Sequence, residues 1–133
     1  MEKNISLNGD EILMEVEQYS PLVLAYMGDV VYELYVRKML VLKANTQVDK
    51  LHKSAVQIVK AEAQCEAFRK IEHELTEKEI AVFKRGRNTK SVVPKHSSVA
   101  EYRTATGLEA LIGYIYLTGD TNRLDYIMNL ILE

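Results

Sequence analysis

Two acidic residues stand in stretches of this sequence that otherwise avoid charge. From Tyr19 to Tyr32 the chain reads YSPLVLAYMGDVVY, and Asp29 is its only charged residue. From Thr104 to Gly119 it reads TATGLEALIGYIYLTG, and only Glu109 is charged. An ionised carboxylate in apolar surroundings costs several kcal/mol unless it is paired, hydrogen-bonded or bound to a metal. Unless Asp29 simply lies at a solvated edge, two chemistries meet that need. One is a buried ion pair with an arginine from elsewhere in the fold, since Arg37 and Arg103 lie about two turns away along their own helices and are not local partners. The other is a divalent cation held between the two acids. Carboxylate oxygens are the hard ligands that magnesium prefers, and magnesium readily keeps water in its remaining positions. A cation held there can activate a bound water. Asp29 and Glu109 would then be catalytic through the metal they position, with no protein nucleophile.

A second cluster has the opposite sign. Between Lys84 and Arg103 the basic residues are Lys84, Arg85, Arg87, Lys90, Lys95 and Arg103, against the single acid Glu101, although the whole chain carries a net charge of −2. On a mildly acidic body, such a segment is either a solvated loop or a local contact for phosphates. Glu33, one turn after Asp29 on the same helical face, has two roles open to it: the outer sphere of a metal, or a salt bridge to Arg37 at i+4. His52, His73 and His96 are scattered and lack ligand spacing. Cys65 has no catalytic histidine in a recognisable arrangement and reads as a small core residue.

The elements that must position these residues read as helices. Ser20-Pro21 is a start signal, serine at the cap and proline at the first helical position, and opens a helix to about Lys43. Asn45 or Thr46 caps a second, over about Val48 to Ile71, in which Leu51, Ala55, Ile58, Val59 and Phe68 recur at helical spacing. Thr76 with Glu79 matches a capping box and starts a shorter helix ending near Arg85-Gly86. Residues 87–97 read as a loop. Ser98 with Glu101 opens a helix to about Leu117, Gly119 closes it, and Asp120 or Thr121 caps a last helix to the C-terminus. A short turn is expected around Asp10 to Glu17. No stretch alternates with period two over strand length, so the fold class is all-α. Both acid-bearing helices are apolar nearly all round and belong at the centre. Their small residues, Ala25 and Gly28 beside Asp29, and Ala105, Thr106, Gly107, Ala110 and Gly113 around Glu109, favour close packing there.

These segments carry a family resemblance. Leu24-Ala25-Tyr26-Met27-Gly28-Asp29-Val30-Val31 resembles the signature helix of ribonuclease III, and the run from Gly107 to Leu117 resembles that family's second acidic helix. Lys84-Arg85-Gly86-Arg87-Asn88-Thr89-Lys90-Ser91 is similar to the basic motif of mini-ribonuclease III, the short bacterial branch without an appended double-stranded RNA-binding domain. The resemblance spans roughly residues 20–131. It implies a ribonuclease III-like helical endonuclease domain working as a homodimer and cutting double-stranded RNA. The cofactor it implies is Mg2+, with Mn2+ as a substitute, bound by Asp29 and Glu109. The ends left would be 5′-phosphate and 3′-hydroxyl. Precursor 23S ribosomal RNA is the implied substrate, with help from a ribosomal protein left open. Arg85, Arg87, Asn88, Lys90, Lys95 and Arg103 would bind the RNA, largely through backbone and shape.

The chain also departs from the ordinary family pattern. Leu22 and Ala25 stand where that family has glutamates, and Thr106 stands where it has an aspartate, reaching a metal only through water. The departure raises a rival expectation, a ribonuclease III-like dimer that grips structured RNA without cutting it. At 133 residues, 47% of them hydrophobic, the chain is expected to form one domain over 1–133, with 1–19 a less regular N-terminal segment. One cysteine excludes an intrachain disulfide framework. The N-terminus lacks a signal-peptide pattern, and no apolar run reaches the roughly 18 residues of a membrane span. A cytoplasmic location without membrane contact is the resulting expectation.

Overall fold

A computed structural model describes residues 4–10 and 14–133. Among them are six α-helices: α1 (Pro21–Lys43), α2 (Val48–Val59), α3 (Ala61–Ile71), α4 (Glu77–Asn88), α5 (Val99–Leu117) and α6 (Thr121–Leu132). Short 3-10 turns lie at Val16–Gln18 and Glu72–Glu74, and no strand is present among the described residues, so the fold is all-α as expected. The expected turn around Asp10 to Glu17 falls partly on residues 11–13, outside the described residues.

Helix α5 is the axis of the molecule. It packs against α1, α3, α4 and α6. From Ala105 to Ile115 every residue except Glu109 is buried. A helix enclosed on all sides must be apolar all round, which is why its sequence lacks an amphipathic period. Helix α1 differs from its expected central place. It buries one stripe, Leu24, Ala25, Gly28, Val31, Tyr32 and Val36, and leaves Leu22, Val23, Tyr26, Val30 and Leu34 exposed on the other.

Two glycine contacts set the packing around α5. A Cβ on Gly28 would stand 1.7 Å from the Glu109 carbonyl oxygen, and one on Gly113 would stand 2.0 Å from that of Leu24. At this crossing the backbones of α1 and α5 touch. On the far side, a Cβ on Gly107 would stand 2.8 Å from the Phe83 ring, and one on Gly86 would stand 2.9 Å from the Ala110 Cβ. Gly86 therefore does not end α4, as its place after Arg85 suggests; the helix continues to Asn88, and the missing side chain admits α5.

The expected helix over 48–71 is two helices. Lys60 is extended (φ −64°, ψ 155°), so α3 leaves at an angle to α2 and can reach α5. Periodicity survives the break because each half keeps its own apolar stripe. Gln47, not Asn45 or Thr46, occupies the cap of α2, without a side-chain bond. The capping box at Thr76 and Glu79 forms in full, and Ser98 accepts from the Glu101 amide at 3.3 Å. Asp120 caps α6 by accepting from the Arg123 amide at 3.0 Å.

Because the atoms facing Gly28 are backbone, Gly28→Ala cannot be relieved by a rotamer change. We expect it to lower the urea-unfolding free energy by about 3 kcal/mol or more. Gly119→Ala, at φ +79° with open space around it, should cost only about 1–2 kcal/mol. Equal losses in the two variants would mean that the α1–α5 contact is not close.

Candidate active site

The glycine crossing places the two isolated acids together. Gly28 lies on the Glu109 carbonyl, so Asp29 of α1 follows directly at the level of Glu109 of α5. The two acids lie close enough for the Asp29 charge to act on the Glu109 carboxyl. Asp29 is exposed and Glu109 half-buried, so the pair runs from solvent inward. Burial first, then the Asp29 charge, push the Glu109 carboxyl up to about 8, while the bond from Gln64 works against this.

Another buried acid shows what a structural solution looks like in the same molecule. Glu79 is 5% exposed and takes Arg123 in a two-point clamp, Nη2 to Oε1 at 2.8 Å and Nε to Oε2 at 3.0 Å. Burial alone would raise its carboxyl, but Arg123 and the Thr76 amide hold it below the usual range. Among the described residues no lysine, arginine or histidine forms an ion pair with Asp29 or Glu109. The ion-pair alternative that the sequence leaves open has no partner there.

The donor set fits a hydrated divalent cation. Two carboxylates meet without a protein counter-charge, and among the described residues no third Asp, Glu, His or Cys joins them in a ligand cluster. Magnesium is commonly held by one or two carboxylates and otherwise keeps water. Two buried polar atoms near Glu109 also lack hydrogen-bond partners: the Tyr32 hydroxyl and Oε1 of Gln64. Burial, and then the Glu109 charge, push the Tyr32 hydroxyl up from its ordinary value. Orphaned buried polar atoms are uncommon, and each of these has hydrogen-bonding capacity to spare.

The remaining sequence candidates separate. Thr106 is buried, and its hydroxyl donates to the Tyr102 carbonyl at 3.0 Å, one turn back in its own helix. Leu22 lies on the exposed side of α1 and Ala25 on the buried side. Glu33 pairs with Arg37 at 3.1 Å on the surface. Arg85 donates to the Glu17 carbonyl, anchoring the segment before α1. Arg87 lies 5.6 Å from the Phe83 ring centroid and donates to Asn88 Oδ1 at 3.2 Å. Arg85, Arg87 and Asn88 thus occupy the last turn of α4, while Lys90 and Lys95 lie exposed in the connection that follows and Arg103 is exposed early in α5. Gly86 between the arginines packs on Gly107 and Ala110, so this end of α4 lies beside the stretch of α5 that carries Glu109. Sequence reasoning missed Gln64 and Tyr32. Gln64 had a readable signal: with Ala67 and Ile71 it occupies the buried stripe of α3, a polar residue at an apolar position.

Comparison with known proteins shows the family of the chain. Residues 22–120 match the family described as ribonuclease III domain. The chain is 50% identical to Mini-ribonuclease 3 of Clostridium tetani over 90% of its own length and 80% of that protein. It is 46% identical to Mini-ribonuclease 3 of a Thermoanaerobacter species over 100% and 97% of the two chains. Its fold matches a crystal structure of a Fusobacterium nucleatum protein with a TM-score of 0.80 at 34% identity, covering 89% of this chain and 95% of that one.

A raised carboxyl makes a pH prediction for the metal-free protein. Folded Glu109 holds its proton more tightly than the unfolded chain does, so its stabilising contribution is complete below the unfolded value of about 4.3 and is lost as pH rises through about 8. In chelator, the thermal midpoint of the wild type should therefore fall between pH 5 and pH 8.5 relative to Glu109→Gln, by at least a few degrees. Midpoints that run parallel across this range would show that the Glu109 carboxyl is not raised.

Proposed function

The chain belongs to the ribonuclease III family, within its mini-ribonuclease III branch, and is an endoribonuclease for double-stranded RNA; from this we propose that it hydrolyses duplex RNA with a divalent cation held by Asp29 and Glu109. The observation that carries the proposal is the meeting of two carboxylates, one exposed and one half-buried, with no cationic side chain paired to either among the described residues. When bound, magnesium or manganese would supply an activated water and stabilise the charge on the departing 3′ oxygen, so that cleavage leaves 5′-phosphate and 3′-hydroxyl ends.

The side chains have distinct parts in this scheme. Asp29, on the solvent side, meets the incoming phosphodiester together with the cation. Glu109 would hold the cation from the inner side as a carboxylate, which makes loading favourable at higher pH. Thr106 contributes no charge. Arg85, Arg87, Lys90, Lys95 and Arg103 would neutralise RNA phosphates, and the Asn88 amide would reach a base edge or 2′-hydroxyl. We place the whole chain in one ribonuclease III-like domain in the cytoplasm, with precursor 23S ribosomal RNA as substrate and a ribosomal protein as an aid. No described helix is long and apolar enough to cross a membrane.

We further propose a homodimer through the outer face of α1. Tyr26 is 80% exposed, and Leu22, Val30 and Leu34 continue its stripe at four-residue spacing. An apolar row of this kind beside a polar site suits burial against a second copy.

Two experiments test these readings. Long duplex RNA should be cut by the wild type only when magnesium is present. Asp29→Asn and Glu109→Gln should each slow cutting by about a thousandfold or more, equivalent to about 4 kcal/mol. Cutting that survives both substitutions would overturn the site assignment, and binding without cutting would overturn the hydrolysis. In sedimentation equilibrium the wild type should be a dimer, and Tyr26→Glu should weaken it at least about a hundredfold. A monomeric wild type would overturn the dimer.

A further inference from the structure

Gln64 is 2% exposed on α3, and its side-chain amide is committed at both ends of the break that separates α2 from α3. Nε2 donates to the Val59 carbonyl at 2.9 Å and to Glu109 Oε2 at 3.3 Å. Val59 is the last residue of α2, so its carbonyl has no helical donor and Gln64 satisfies it. This bond also decides which way the amide faces. A flipped amide would set its oxygen against the Val59 carbonyl and the Glu109 carboxylate, two acceptors against one. The second N–H is therefore aimed at Glu109 by the backbone of another helix. Among the described residues no other N–H group donates to either acid of the site.

We infer that Gln64 is a positioning residue for the cation site: it pins one oxygen of Glu109 and leaves the other to share a divalent cation with Asp29. The inference rests on the proposed function and deepens it. It also offers a reason why two acids suffice where the family pattern has more. Extra carboxylates around a cation orient one another through it, whereas here a neutral donor, itself held by Val59, fixes the inner ligand in advance. A partner of this kind typically changes metal affinity or activity by about 10–100-fold when removed.

The test compares the wild type with Gln64→Met, which keeps length and volume but donates nothing, and Gln64→Glu, which keeps shape but offers oxygen where nitrogen stood. For Gln64→Met, the magnesium concentration giving half-maximal cutting should rise about 10–100-fold, with the KM for duplex RNA unchanged. Direct manganese binding, read from the electron paramagnetic resonance of free Mn2+, should weaken in parallel. Gln64→Glu should not restore binding. Tighter manganese binding by that variant would show the position to be a vacant ligand site and overturn the donor role. Wild-type metal response in Gln64→Met, with only a lower melting temperature, would reduce Gln64 to a cap on α2. Should Gln64→Met fail to fold, the unmodified protein still decides. Of its four glutamines, Gln18, Gln47, Gln57 and Gln64, the side-chain amide of Gln64 should move in a nitrogen-15 spectrum when magnesium is added. No movement under saturating magnesium would overturn the inference. A wild type that shows no metal-dependent cutting would overturn the proposed function along with it, which separates the two failures.

Discussion

The contact on which the rest of this molecule depends is the meeting of two helix backbones at Gly28 and Gly113. Neither position can carry a Cβ without striking a carbonyl of the facing helix. Glycine inside a helix costs about 1 kcal/mol relative to alanine, so this contact is held at some expense of local stability. In return α1 lies against α5 with nothing between them, and the residues next to the crossing are brought to one level. Asp29 follows Gly28 directly, and Glu109 supplies the carbonyl that Gly28 covers. With a bulkier residue at either glycine the helices would stand apart and two acids would face separate environments.

The same fold contains a buried glutamate and a half-buried one with opposite solutions, and the contrast bears on function. Glu79 closes its own helix cap and takes both nitrogens of Arg123, linking α4 to α6. Removing one member of such a pair commonly costs about 3–5 kcal/mol, because the other is left buried and unpaired. Glu109 has no such partner among the described residues. Burial and the neighbouring Asp29 charge raise its affinity for a proton, and the amide of Gln64, from which it accepts, works the other way. The buried charge of Glu79 is neutralised by Arg123. The unneutralised pair is where the metal-binding proposal is anchored.

Much of the architecture was legible in the chain. The Thr76–Glu79 box, Pro21 at the first turn of α1, and Gly119 before the Asp120 cap are local signals, and each marks a real boundary because it acts through hydrogen bonds or torsions within a few residues. The readings that failed had a local and a distant explanation with the same sequence. Gly86 after Arg85 looks like a helix end, yet it is an opening for α5. Lys60 looks like the middle of one long helix, yet the chain turns there so that α3 can reach the centre. The outer face of α1 looks like core because an apolar residue carries no mark of what will cover it.

What the sequence by itself determined was the all-helical class with most helix ends, the isolation of Asp29 and Glu109 among uncharged neighbours along the chain, and the concentration of positive charge from Lys84 to Arg103. These follow from periodicity, capping and composition, all of which are properties of neighbours along the chain. Only the tertiary structure decided that the two acids meet and that no arginine among the described residues answers them. It also decided that Gln64, forty-five positions from Glu109, is the amide that holds it. Such facts depend on which helix faces align after packing, and packing is set by the steric fit of distant surfaces that no short segment of the chain contains.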